Sequence, residues 1–366
     1  MTLPHLFKKD FQTLFDALAP LTKRAYFVGG AVRDFLMGRP LKDVDIEVYD
    51  IPPEQFCDLM ERLGAKGVGK SFFVYKLGLL DVSLPRSERK VAPGHAGFDV
   101  SWCNDPLLAS ARRDFTINAL MINLFSGELL DFHGGRADMD AKLLRHIDDR
   151  AFGEDSLRVL RAMQFAARFS FRIAPKTVTL CRQIPLDDLP RERIWGEFEK
   201  LLGADDPLKG VYFMIALRIA HRLWGIDRAP LGFFRAVRRL PSPCLLYALR
   251  SRLHLGLRRL CGPIGAPKRI ERELARWPLP PKRVSDRFLA AVALKGPLSQ
   301  WPGLYELGLA GRADALGLLK APLDPGVNAA DLLGEGYVQG PALGRELRRR
   351  ILNKVRNYGK TVPSAD

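Results

Sequence analysis

The chain has 366 residues, 47% of them apolar and 27% charged, which is enough for two or three hydrophobic cores. No stretch of about 18 or more uncharged apolar residues occurs, and charges interrupt the N-terminal MTLPHLFKKDFQTLF, so a cytoplasmic protein without a membrane span or signal peptide is expected. Five cysteines with no CxxC pair suggest neither a disulfide framework nor a thiolate zinc site.

In chain order, residues 5–19 carry the period of an amphipathic helix, and 25–29 and 43–49 read as short strands around a turn. PPEQFCDLMERLG, 52–64, is a second helix ending in glycine, and FFVYKLGLLDVSLPR, 72–86, alternates like a strand about Gly78. SERKVAPGHAGF, 87–98, has the Gly and Pro content of a mobile loop. From about 153 onward helical periods replace strand signals. Boundaries are expected near 140 and near 206, where GADDP interrupts the helical pattern, and the many Pro and Gly residues of 207–366 predict short helices.

The net charge of +16 is unevenly placed. Residues 1–206 hold 29 Lys and Arg against 30 Asp and Glu, whereas 207–366 hold 28 against 11, a net +17. A basic surface can serve solubility alone. A clustered, arginine-rich excess such as that in GRELRRRILNKVRN is most simply explained by a polyanionic partner.

The chemistry concentrates near the N-terminus. In KDVDIEVY, Val44, Ile46 and Val48 alternate with Asp43, Asp45 and Glu47, so a strand puts the three acids on one face. Such crowding is unfavourable unless a divalent cation relieves it, although a DxD pair alone is more commonly a solvated strand face. Upstream, GGAVRD places Gly29 and Gly30 at a tight turn into a helix, with Arg33 one turn inside. Downstream, Asp81 on a further strand is a candidate third acid for a two-metal site, and Glu47 is its rival. In GEDSLRVLRAMQFAARF, Val159, Leu160, Met163, Ala166 and Ala167 form an apolar stripe. Asp155, Arg158, Arg161 and Gln164 follow at intervals of three on the other side, as either a solvated or a functional face.

Together with RRDFTINAL, 112–120, DFHGGRADMDAKLLRHI, 131–147, and RERIWGEFEKLL, 191–202, these motifs make the chain resemble the bacterial class II tRNA nucleotidyltransferases, the CCA-adding enzymes, and the related bacterial poly(A) polymerases. The resemblance runs from about 25 to 202. It implies an α+β architecture: a nucleotidyltransferase head with a mixed β-sheet over 1–139, a helical neck that recognises the base over 140–206, and a basic helical body and tail over 207–366. It further implies that Asp43 and Asp45 bind two Mg2+ ions, with Asp81 as the further catalytic acid. Gly29, Gly30, Arg33, Arg113 and Arg161 would contact the nucleotide. Asp155 and Arg158 would read its Watson–Crick edge. The implied partners are CTP, ATP and the acceptor stem and elbow of tRNA. Gln164 departs from the family, which commonly has arginine there. The 87–98 stretch resembles a flexible loop of enzymes that incorporate A. Full CCA addition, A addition alone, poly(A) synthesis and a catalytically idle RNA-binding relative are the alternatives. His221 and His254 are isolated and no His-Asp doublet occurs, which argues against an HD-type phosphohydrolase domain.

Overall fold

The computed structural model describes residues 8–41, 43–67, 74–90, 98–229, 233–234, 245–281 and 283–358. The chain divides into two units, Met1–Glu197 with Lys209–Ile219 and Phe198–Leu208 with Ala220–Asp366.

The first unit opens with α1 (Lys8–Leu18), β1 (Ala25–Val28), α2 (Gly30–Leu36), β2 (Val44–Val48) and α3 (Pro53–Arg62). Then follow β3 (Lys66–Gly67), β4 (Val74–Leu77), β5 (Leu80–Ser83), β6 (Arg86–Lys90), β7 (Phe98–Trp102), α4 (Pro106–Ala111), β8 (Met121–Asn123), β9 (Leu129–Leu130) and α5 (Gly135–Asp140). Seven strands form one mixed sheet in the order β3-β4-β5-β2-β1-β8-β9. Only the β2–β5 pairing in it is parallel. All four residues of β1 are buried, as expected of a strand near the middle of a sheet covered on both faces.

Two sequence expectations change here. The single strand expected over 72–86 is a hairpin: Gly78, at φ 58°, supplies the left-handed conformation that its turn needs, and β4 and β5 pair antiparallel on either side. The 87–98 stretch, expected as a loop, has β-structure at both ends, because β6 and β7 pair antiparallel from Arg86↔Trp102 to Lys90↔Phe98. Pro93, Gly94 and Gly97 lie outside the described residues.

Helices dominate after the sheet: α6 (Asp149–Gly153) and α7 (Leu157–Phe169) precede Pro175–Gln183 and Arg191–Leu202. Val159, Leu160, Met163, Ala166 and Ala167 are all fully buried, as the stripe predicts. The second unit holds only helices among its described residues, most of them of six to nine residues, with a longer one at Pro341–Asn357. Its core closes around Trp301, which is fully buried yet satisfied, its indole N–H donating to the Tyr247 hydroxyl (3.0 Å) and to the Pro278 carbonyl (3.1 Å).

Candidate functional site

Strand register brings two of the expected acids together. Asp45 on β2 lies opposite Asp81 on β5, and on its other side opposite Val28, one residue before Gly29. Alternation holds as read: Val44, Ile46 and Val48 face the core, and Asp45 and Glu47 share the other face. Asp45, Glu47, Asp81, Ser83, Arg86, Arg112 and Arg113 line a cleft of about 230 Å3. Asp43 is exposed, one residue before β2 and outside that lining.

The two candidates for the third acid have different surroundings. Glu47 is buried and accepts from Arg113 Nη2 (2.8 Å), Arg112 Nη2 (3.3 Å) and the Tyr49 hydroxyl (3.0 Å). Its charge is thus answered from within the fold. Among the described residues, Asp81 has only the half-exposed Lys76 ammonium at 3.4 Å, and it faces the cleft. Burial pushes the Asp45 carboxyl up, partly offset by Arg113, and the neighbouring Asp81, Glu47 and Asp43 push it further the same way. That crowding is what a cation would relieve.

Among the described residues, no group of three or more His, Cys, Asp and Glu side chains is arranged to hold a metal ion. The in-register pair nevertheless suits Mg2+, a hard ion usually held by one or two carboxylates with water and substrate phosphates completing its shell.

Gly29 precedes α2 with φ 67°, and a Cβ there would stand 2.7 Å from Arg113 Nη1 and 3.6 Å from Asp45 Oδ2. The turn therefore lets the backbone pass beside the Asp45–Arg113 pair. Arg33 is placed elsewhere. It is 4% exposed, donates to Asp34 Oδ1 (2.8 and 2.7 Å) and Asn118 Oδ1 (2.6 Å), and stacks over Phe165 and Phe169. In this structure it clamps α2 to α7.

Residues 112–114 join the sheet to the helices that follow. Arg112 and Arg113 reach Glu47, and the Arg112 carbonyl accepts from Arg158 Nη2 (2.6 Å). Asp114 accepts from Arg161 Nε (2.7 Å) and from Asn118 Nδ2 (2.8 Å). Burial would raise its pKa, but the Arg161 charge and the hydrogen bonds from Asn118 and Arg161 hold it below the ordinary value. Asp155 accepts from Arg193 (3.1 Å) and from the Leu157 amide (3.1 Å), and Arg158 also donates to the Ala151 carbonyl (2.7 Å). Asn118, Arg193, Arg86 and the two phenylalanines escaped sequence reading. Asn118 lies inside RRDFTINAL, Arg193 inside RERIWGEFEKLL and the phenylalanines inside GEDSLRVLRAMQFAARF, so the motifs marked their segments but not their contacts, and Arg86 had no motif.

The polar row on α7 is not a uniform solvated face. Asp155 and Arg161 are partly buried in ion pairs, and Gln164 is 1% exposed with neither amide atom hydrogen-bonded among the described residues. Asp114 of the head and Arg193 of the helix Arg191–Leu202 engage part of the side that the helical period alone assigns to solvent.

Residues 25–145 match the family model of the poly A polymerase head domain. The "Multifunctional CCA protein" of Nitrosococcus oceani is 42% identical over 190 residues, which cover 50% of this chain and 45% of that protein. The chain thus spans less than half the length of that curated relative. Among solved structures, the Bacillus stearothermophilus CCA-adding enzyme in complex with CTP is similar in fold (TM-score 0.64, 24% identity, 97% of this chain and 94% of that one). A tRNA nucleotidyltransferase complexed with a primer tRNA and an incoming ATP analog is similar as well (TM-score 0.56, 26% identity, 73% and 82%).

Proposed function

We propose that this protein, whose residues 25–145 match the family model of the poly A polymerase head domain, is a template-independent tRNA nucleotidyltransferase that adds C and A to tRNA 3' ends from CTP and ATP. The observation that carries the reading is the in-register Asp45–Asp81 pair beside Arg113 and the Gly29 turn. The likeness to the multifunctional CCA protein supports tRNA and both nucleotides as substrates.

In this reading the 3'-hydroxyl of the RNA attacks the α-phosphorus of the bound nucleotide and pyrophosphate leaves. Asp43 and Asp45 would hold Mg2+, with Asp81 as the third acid, and Mg2+ would supply charge neutralisation at the attacking and leaving oxygens. Arg113 keeps its charge despite burial because Glu47 and Asp45 answer it, and it is poised to meet phosphate oxygens as they enter the cleft. Gly29 and Gly30 would offer their backbone to the nucleotide beside Arg113, while Arg33 and Arg161 act mainly by holding α7 against the head.

Base choice falls to Asp155 and Arg158. An ionised Asp accepts and an Arg donates. Cytosine and adenine both present an amino donor beside a ring-nitrogen acceptor, and both therefore match the pair. Uracil and guanine present a carbonyl beside an N–H, and each mismatch left unpaired in a closed pocket costs about 1 to 3 kcal/mol.

The test uses purified protein, Mg2+ and tRNA transcripts ending before CCA, after C and after CC, with CTP, ATP or both. Two C then one A, followed by arrest, is the expected result. A single A on the CC-ended transcript alone would narrow the activity to A addition, and long A tails would indicate a poly(A) polymerase. No transfer on any transcript overturns the proposal. Asp43→Ala is expected to abolish transfer while tRNA affinity in a gel-shift assay stays within about threefold, since transfer here depends on positioning around the metal and not on binding alone.

A further inference from the structure

Four of the five tryptophans, Trp195, Trp224, Trp277 and Trp301, are 8% exposed or less, whereas Trp102 is 44% exposed. An indole buries more apolar surface than almost any other side chain when it finds a partner. Trp102 is not at a frayed end. It closes β7 opposite Arg86, and pairing continues beyond it, because the Cys103 amide donates to the Pro85 carbonyl (3.1 Å). Its backbone is therefore fixed while much of its ring is left to solvent.

The position is informative. Side chains directly opposite across an antiparallel pair stand on the same face, with Cβ atoms about 4.5 to 5.5 Å apart. Trp102 thus stands beside Arg86, which lines the cleft together with Asp45, Asp81, Arg112 and Arg113. An exposed aromatic face beside arginines that can meet phosphates is the composition of a single-stranded nucleic-acid contact: the cations hold the backbone and the ring stacks on a base.

Two bases approach this cleft during nucleotide transfer. The incoming one is assigned to Asp155 and Arg158, reached through the Arg112 carbonyl, whereas Trp102 belongs to the β6–β7 hairpin on the Arg86 side. From this we infer that Trp102 is a stacking platform for a base at or next to the 3' end of the RNA being extended. The inference rests on the nucleotidyltransferase reading above and adds to it a residue that holds the acceptor strand.

The burial of the other four indoles makes intrinsic fluorescence a selective probe of Trp102. Wild type, Trp102→Phe and Trp102→Leu are titrated with a CC-ended tRNA transcript in the absence of nucleotide, and separately with CTP and ATP in the absence of RNA. Saturable quenching by RNA is expected in wild type and lost in both variants. In the transfer assay, Trp102→Leu should raise KM for tRNA by about 5- to 150-fold, the range of one lost stacking contact, while leaving KM for CTP and ATP within about twofold. Trp102→Phe should restore most of the loss, because a smaller ring still stacks. Quenching by CTP or ATP without RNA, or an unchanged KM for tRNA in Trp102→Leu, overturns the inference. A wild type that transfers no nucleotide overturns the functional reading instead, and the RNA-dependent quench then still decides whether RNA stacks on Trp102.

Discussion

Gly29 meets two demands at once. Its φ of 67° and ψ of −135° are strained for an L-residue, and the space a side chain would fill is taken by the tip of Arg113. Gly29→Ala should therefore cost about 1 to 3 kcal/mol in backbone strain. The clash itself is cheap in stability, because Arg113 can swing away, but swinging away takes its charge off Glu47 and Asp45. Transfer is expected to fall about 10- to 100-fold in kcat/KM, as when a positioning group moves by an ångström, with the fold retained in circular dichroism. Activity within twofold of wild type would show that Arg113 does not act in the cleft. Gln164 poses the opposite case, a buried polar group without a hydrogen-bond partner among the described residues. Replacing an unsatisfied buried amide by an apolar side chain of similar size removes its desolvation cost, so Gln164→Leu should raise the unfolding free energy by about 1 to 2 kcal/mol in urea titrations. A drop in stability would mean that a buried water satisfies the amide.

At the scale of elements, α7 is held to the head by Arg112 and Asp114, which accept from Arg158 and Arg161, and by Arg33, which stacks over Phe165 and Phe169 while bonded to Asn118. Asp114→Asn should loosen that joint. The Arg161 side chain is 32% exposed, so the loss is expected at about 2 to 3 kcal/mol, below that of breaking a fully buried pair. The change should also alter pH dependence. The folded pKa of Asp114 lies below its ordinary 3.8, so its contribution is present above 3.8 and is lost as pH falls through the lower folded value. Stability of Asp114→Asn should fall less steeply than wild type over that acid range; parallel curves would rule out Asp114 as a source of acid sensitivity. Period-two alternation made the acid face of β2 legible in the sequence, and the glycine pair marked the turn. Register was not legible: nothing local says that Asp45 lies beside Asp81, or that Glu47 is claimed by arginines 65 and 66 residues away. The burial of Gln164 was hidden for the same reason, since a helical period reports one packed face and α7 is covered on more than one.

Across the whole molecule, charge is the property that the catalytic chemistry leaves unexplained. The first 206 residues are nearly neutral, and the net +17 lies beyond them. In the long helix Pro341–Asn357, Arg349 and Arg350 are tied to Glu346, and Arg350 also to Glu335. Those contacts hold the Glu346 carboxyl down at about 2, the hydrogen bond from Arg349 contributing most. Arg345 and Arg348, on the same helix, make no ion pair or hydrogen bond with the described residues and remain available to phosphates. Two classes of arginine on one helix should respond differently. If this surface binds RNA, affinity should fall linearly in log–log terms with salt, and each phosphate contact removed should lower the slope by about 0.7 to 0.9. The pair Arg345→Ala and Arg348→Ala should therefore flatten the slope by nearly two contacts with little change in thermal stability. Arg350→Ala, which breaks links to Glu335 and Glu346, should loosen the helix ends first. A salt slope unchanged by the first pair would locate the polyanion surface elsewhere in 207–366, because the excess charge of the chain lies there and not in the head.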